Sequence, residues 1–126
     1  MPDITIGSSE GRGRGVFAAR GFEPGETIEV CPVIPLPEAD ARTLDGTGLY
    51  DYYFGWGADG KAAAIALGYG SLYNHSPSPN AKHLKGVADG IISIVAVTRI
   101  ERGEEIFIRY DTGADEDTQQ MWFAVR

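Results

Sequence analysis

The sequence predicts a mainly β fold with small helical insertions, and three observations carry that prediction. Its apolar runs are short and frequent. Seventeen glycines among 126 residues exceed the usual share and supply many turns. Clusters of Gly, Pro and Asp separate the runs from one another. At 126 residues and 43% hydrophobic, the chain fits one domain, residues 1–126, around a single core.

In chain order, the first strand is expected at Ile4–Ile6. The glycine-rich segment Gly11-Arg12-Gly13-Arg14-Gly15 then leads into a second, Val16–Ala18. A turn at Phe22-Glu23-Pro24-Gly25 opens a third strand, Thr27–Val33. After Pro35-Leu36-Pro37 a short helix is expected at Glu38–Leu44, and a helical turn near Tyr50–Phe54. Further strands fall at Ala62–Ala66, Ile91–Val97 and Glu105–Ile108. Phe22-Glu23-Pro24-Gly25-Glu26-Thr27-Ile28 is echoed by Ile100-Glu101-Arg102-Gly103-Glu104-Glu105-Ile106. Two distant copies make a turn-to-strand device used twice, not a solenoid repeat.

Leu72-Tyr73-Asn74-His75-Ser76-Pro77-Ser78-Pro79-Asn80-Ala81 is the densest polar segment. Its prolines exclude a helix interior or a central strand. Asparagine and serine bond their own backbone and hold tight turns. A rigid polar turn entered from an apolar run is a place for recognition chemistry, or an ordinary well-capped loop.

The net charge of −7 argues against direct nucleic-acid binding, which needs a basic face. It suits a lysine- or arginine-rich protein partner, or else serves solubility alone. The lone cysteine, Cys31, excludes an internal disulfide and a cysteine-cluster zinc site. No apolar stretch approaches the roughly 20 residues that span a bilayer, so no membrane partner is expected. Met1-Pro2-Asp3 lacks the basic start of a secretory signal, which points to an intracellular, reducing setting.

The chemistry-bearing candidates divide as follows. The Gly11–Gly15 loop leads into a strand and lacks a Walker ending, so it reads as a backbone wrapped on a ligand or as a tight hairpin. His75 and His83 have no further ligands at metal-site spacing, and no metal is expected. No Gly-x-Ser-x-Gly elbow supports a serine nucleophile. Gly103-Glu104-Glu105-Ile106-Phe107-Ile108-Arg109-Tyr110 ends a strand on a tyrosine. Tyr50, Tyr52 and Tyr53 form an aromatic slot or part of the core.

Gly13-Arg14-Gly15-Val16-Phe17-Ala18, Asn74-His75-Ser76 with Pro79-Asn80, and Gly103-Glu104-Glu105 with Tyr110, taken in order, resemble the SET-domain protein-lysine methyltransferases. The resemblance extends over essentially the whole chain. With Asp51-Tyr52-Tyr53-Phe54 and Ala66-Leu67-Gly68-Tyr69-Gly70, it is to the compact viral and bacterial type. It implies several small curved β-sheets, with the asparagine segment and the tyrosine strand packed as a C-terminal pseudoknot. It implies S-adenosylmethionine as methyl donor, S-adenosylhomocysteine as product, and a target lysine entering by a narrow channel. Gly13, Arg14 and Gly15 would line the methionine part of the cofactor, Asn74 and His75 would bind it, and Trp122 would cap the adenine. Tyr110 matches the catalytic tyrosine. Tyr52 matches a channel tyrosine bonded to the lysine nitrogen, with Tyr50 and Tyr53 as competitors. Tyr69 and His83 would line the substrate channel.

The partner so implied is a basic protein: a histone, a histone-like protein or a ribosomal protein, in the cytoplasm, nucleus or nucleoid. A SET fold that binds such a protein without catalysis is the alternative. An enzyme that binds nucleotide at Gly11–Gly15 is a third reading. The zinc segments that flank many members are absent, and the acidic run Thr112–Asp117 delays the C-terminal aromatic to Trp122. The short substrate-reading region makes a homodimer an expectation.

Overall fold

The computed structural model describes residues 3–48, 52–57 and 59–109. The chain begins with a hairpin. Strand β1 (Ile4–Ser9) pairs antiparallel with β2 (Gly13–Ala18), from Ile4 opposite Ala18 to Ser9 opposite Gly13. Gly11 and Gly13 take φ of 75° and 80°, a region other residues avoid, so they close the turn. The glycine-rich segment therefore forms a tight hairpin, and Gly13–Gly15 belong to β2.

Strand β3 (Thr27–Leu36) is the spine of a five-stranded sheet. Up to Pro32 it pairs with β8 (Ile91–Ala96), and from Val33 onward with β5 (Ala62–Ala66). Pro32 carries no amide proton and sits where one neighbour gives way to the other. Beyond β5 lies β4 (Tyr53–Trp56), and beyond β8 lies β7 (Ala81–Gly86). Helix α1 (Glu38–Leu44) falls where expected and buries Ala41.

Two strands of the five-stranded sheet differ from expectation. Tyr53 and Phe54 are not a helical turn but the start of β4, whose four residues are all buried and lie opposite Ile65, Ala64, Ala63 and Ala62 of β5. The Phe54 and Trp56 rings stand opposite the small Ala64 and Ala62, and this pairing overrides local propensity. Tyr50 lies outside the described residues. Strand β7 escaped the sequence reading because its inward positions are Ala81 and His83, with Lys82 and Leu84 outward. A histidine in an apolar slot conceals the period of two.

The edges of the five-stranded sheet meet through side chains. Lys85 Nζ on β7 donates to the Gly55 carbonyl on β4 and lies 5.7 Å from the centre of the Trp56 ring. The rings of His83 and Phe54 are 5.3 Å apart. These contacts join the two edge strands, β4 and β7.

The third sheet is a parallel pair, β6 (Asn74–His75) with β9 (Phe107–Ile108). It ties two segments far apart in sequence, as the expected pseudoknot requires. The echoed turn-to-strand devices also meet. Phe22 and Ile100 exchange backbone hydrogen bonds of 2.8 and 2.9 Å. Their glycines, Gly25 and Gly103, take φ of 88° and 92°. Val16, Phe22, Cys31, Tyr53, Tyr73, Ile92, Ile94, Ile100, Ile106 and Ile108 are the largest fully buried side chains of the core. Among the described residues no helix is long and apolar enough to cross a membrane.

Candidate active site

The polar centre of the molecule forms where β2, β6 and the approach to β9 converge. Residues 104–106 run beside β2, with Ala18 N–H donating to Glu104 O at 2.9 Å and Ile106 N–H to Val16 O at 2.8 Å. That places the Glu105 carboxylate between β2 and β6. Ser9 Oγ donates to Glu105 Oε1 at 2.7 Å, and Asn74 Nδ2 donates to Oε2 at 2.8 Å. The same Asn74 Nδ2 donates to Arg14 O at 2.9 Å.

The Arg14 carbonyl can only accept, so the orientation of the Asn74 amide is fixed by chemistry. Its two N–H groups are engaged, and among the described residues nothing bonds Oδ1. Gly15 owes its identity to this arrangement. A Cβ there would overlap Glu105 Oε2 and lie 2.9 Å from Asn74 Nδ2. Gly15 thus makes room for the carboxylate behind the asparagine.

Asn80 secures β9 from the other side. Its Nδ2 donates to Glu105 O at 2.9 Å, and its Oδ1 accepts from Phe107 N–H at 2.8 Å. The side-chain amide thus replaces a strand neighbour. Ser76 N–H extends the ladder by donating to Ile108 O at 3.0 Å.

A small pocket of about 80 Å³ opens on this centre, lined by Arg12, Arg14, Tyr52, Ser71, Leu72 and Asn74. The Arg12 guanidinium lies 5.1 Å from the centre of the Phe107 ring, which steadies its stem. Two cations and a free carbonyl oxygen in one cleft suit a ligand end bearing both a carboxylate and an ammonium group. The methionine part of S-adenosylmethionine has that chemistry, so the residues present fit the cofactor.

Of the residues singled out from sequence, Arg14, Asn74 and Tyr52 share this pocket, and Tyr52 is 44% exposed there. Gly13 closes the hairpin turn, and Gly15 backs the asparagine. His75 pairs across to Ile108. Tyr69 lies half-buried in the turn after β5, its N–H donating to Glu29 Oε2 at 2.9 Å. His83 is 6% exposed against Phe54 and is not among the pocket's lining residues. Burial, and next the charge of Lys85, push its imidazole down to about 4, so it is neutral near pH 7. Burial likewise lowers Lys85 to about 7. Tyr110 and Trp122 lie outside the described residues.

Glu105, Ser9 and Arg12 received no site role from sequence. Glu105 was visible inside its motif, but nothing in sequence showed which of the adjacent Glu104 and Glu105 turns inward. Ser9 carried no signal at all. A larger cavity of about 320 Å³ lies elsewhere, between α1 and the β4–β5 turn, and mixes Glu38, Asp45 and Asp59 with Arg42 and Lys61. None of the residues above lines it. Among the described residues no group of three or more His, Cys, Asp or Glu could hold a metal.

The SET domain family model matches residues 13–111. A histone-lysine N-methyltransferase of Schizosaccharomyces pombe, specific for lysine 37 of H3, is 32% identical over 121 residues, covering 95% of this chain and 76% of that protein. The crystal structure of a candidate histone methyltransferase of Plasmodium falciparum superposes with a TM-score of 0.68 at 32% identity, covering 87% of this chain and 94% of that one. The Chaetomium thermophilum Polycomb Repressive Complex 2, autoinhibited and bound to S-adenosylmethionine, gives a TM-score of 0.73 at 21% identity. That match covers 94% of this chain but 16% of the other, and shows the fold alone.

Proposed function

We propose, from the premise that this chain belongs to the SET-domain family, that it methylates a lysine on a basic protein of the histone type. As a family member it is an S-adenosylmethionine-dependent protein-lysine methyltransferase. The finer reading, a basic substrate, is supported by the net charge of −7 and by the histone specificity of the S. pombe relative.

The observation that carries the site is the Asn74 amide. With both N–H groups held by Arg14 and Glu105, it can offer a ligand only its carbonyl oxygen. The group it takes must therefore be a donor, as the amino-acid ammonium of the cofactor is. Arg12 and Arg14 stand in the same pocket for the carboxylate. When bound, the cofactor supplies a methyl group on a cationic sulfur.

The chain's own residues have two tasks. They must hold the lysine nitrogen in line with the methyl carbon, which supplies much of the rate. They must also favour the neutral amine, whose ordinary pKa is about 10.4. A dry aromatic channel beside a cation lowers that value by desolvation and like-charge repulsion. Tyr52, at the pocket, is assigned the bond to the lysine nitrogen, and Tyr110 the orientation of the reacting groups. The proton leaves by water, so His75 is assigned no role as a base. A homodimer that completes the substrate groove belongs to the same proposal.

Calorimetric titration with S-adenosylmethionine and with S-adenosylhomocysteine tests the site, and methyl transfer to purified histones tests the substrate. One-site binding with transfer lost in Tyr110→Phe is the expected result. Binding with transfer to lysine-poor acidic proteins but not to histones would overturn the substrate assignment. A monomeric mass by light scattering would remove the dimer.

A further inference from the structure

Glu29 is a half-buried carboxylate with no ion-pair partner among the described residues. It lies in β3 where the register against β8 shifts between Thr27 and Glu29. Such an irregularity re-aims a side chain. Here the carboxylate is turned toward the segment that follows β5. Its Oε2 accepts the Tyr69 N–H at 2.9 Å, and its Oε1 accepts the Tyr73 hydroxyl at 2.7 Å. Between those two anchors run Ser71 and Leu72, which line the pocket, and Asn74 follows directly.

The surroundings are shaped to the carboxylate. Gly68 has φ of 63°, and a Cβ on it would overlap Glu29 Oε2. Gly70 packs so closely on β3 that an added Cβ would lie 2.9 Å from Cys31 Sγ. Burial and the Glu29 charge raise the Tyr73 hydroxyl well above its usual range, so it remains a donor at every working pH. A lone carboxylate taken from water costs free energy, and an apolar residue would fill the space with less penalty. What the carboxylate adds is two directed bonds, one at each end of the pocket wall.

We infer that Glu29 is a positioning residue for the cofactor pocket: it clamps Tyr69 and Tyr73 and so fixes the Ser71–Leu72 wall and the approach to Asn74. The inference rests on the reading of that pocket as the cofactor site.

Glu29→Gln and Glu29→Leu separate the clamp from simple space-filling. In Glu29→Gln the amide oxygen takes the Tyr69 N–H and the NH₂ donates to the Tyr73 oxygen, since a phenol both donates and accepts. Glu29→Leu loses both bonds at similar volume. Calorimetry should find S-adenosylmethionine bound by the Gln variant within about threefold of wild type, and by the Leu variant about tenfold more weakly or worse. The Leu variant's KM for the cofactor should rise while kcat at saturating cofactor stays near wild type. Tyr73→Phe removes one arm and should weaken binding by about threefold, which keeps the test alive if Glu29→Leu does not fold.

Amide hydrogen exchange on the cofactor-free proteins reads the clamp independently of binding. Exchange across residues 67–72 should quicken in Glu29→Leu and not in Glu29→Gln. Equal exchange in both, or Gln and Leu weakened alike, overturns the inference. A wild-type protein that binds no cofactor yet shows the exchange difference keeps the clamp and overturns the functional reading of the pocket.

Discussion

Replacing His83 with leucine isolates a buried charge equilibrium whose sign follows from the structure. The imidazole is 6% exposed and faces Phe54 at 5.3 Å between ring centres. Burial first, and the Lys85 charge second, lower it from 6.5 to about 4. The unfolded chain takes up a proton near the ordinary value, whereas the folded chain resists until about pH 4. The unfolded state therefore binds more protons across that window, and stability falls as pH falls through it. At about 1.4 kcal/mol per pH unit the loss reaches about 3 kcal/mol by pH 4, with no contribution above 6.5.

Urea unfolding of wild type and His83→Leu, at about pH 7 and about pH 4, measures this difference. Carboxylates elsewhere contribute equally to both proteins and cancel. The wild type should lose about 1–2 M more in midpoint than the variant on acidification. Parallel curves would refute a neutral, buried His83. Methylation products offer a second check: a core histidine leaves the number of methyl groups added unchanged, and a changed product ratio would place His83 in the substrate channel.

Three further outcomes follow from the same geometry. Gly15→Ala drives the Glu105 carboxylate off Asn74 and Ser9, and titration should show cofactor affinity down about tenfold or more in a protein that still folds. Asn74→Asp sets a carboxylate oxygen against Arg14 O and Glu105 Oε2. It should cost about 2–4 kcal/mol in thermal or urea unfolding and abolish cofactor binding. Lys85→Met removes an amine lowered from 10.5 to about 7. Wild-type stability should rise with pH through that window, by about 1–3 kcal/mol once solvent screening at the seam is counted, and the variant should lack the rise.

Local patterns carried most of the architecture. Short apolar runs, turn glycines and the Pro37 that opens the helix placed six strands and α1, because each depends on neighbours within a few residues. The order of the three motifs carried the family. Partner choice was not legible: β3 changes neighbour at Pro32, and β4 is a strand through its pairing with β5. Nor was β7, where His83 fills an apolar position. At the site, sequence marked Asn74 and Arg14 as residues of the right type. It could not show that Gly15 is small for Glu105, that Ser9 reaches that carboxylate from 96 residues away, or that Glu29 holds the wall before Asn74. Those are contacts across long loops, fixed only when the sheets close. The sequence by itself determined which groups the site would use. Tertiary structure decided which atoms of those groups stay free for a ligand, because that depends on which of their hydrogen bonds the fold has already taken.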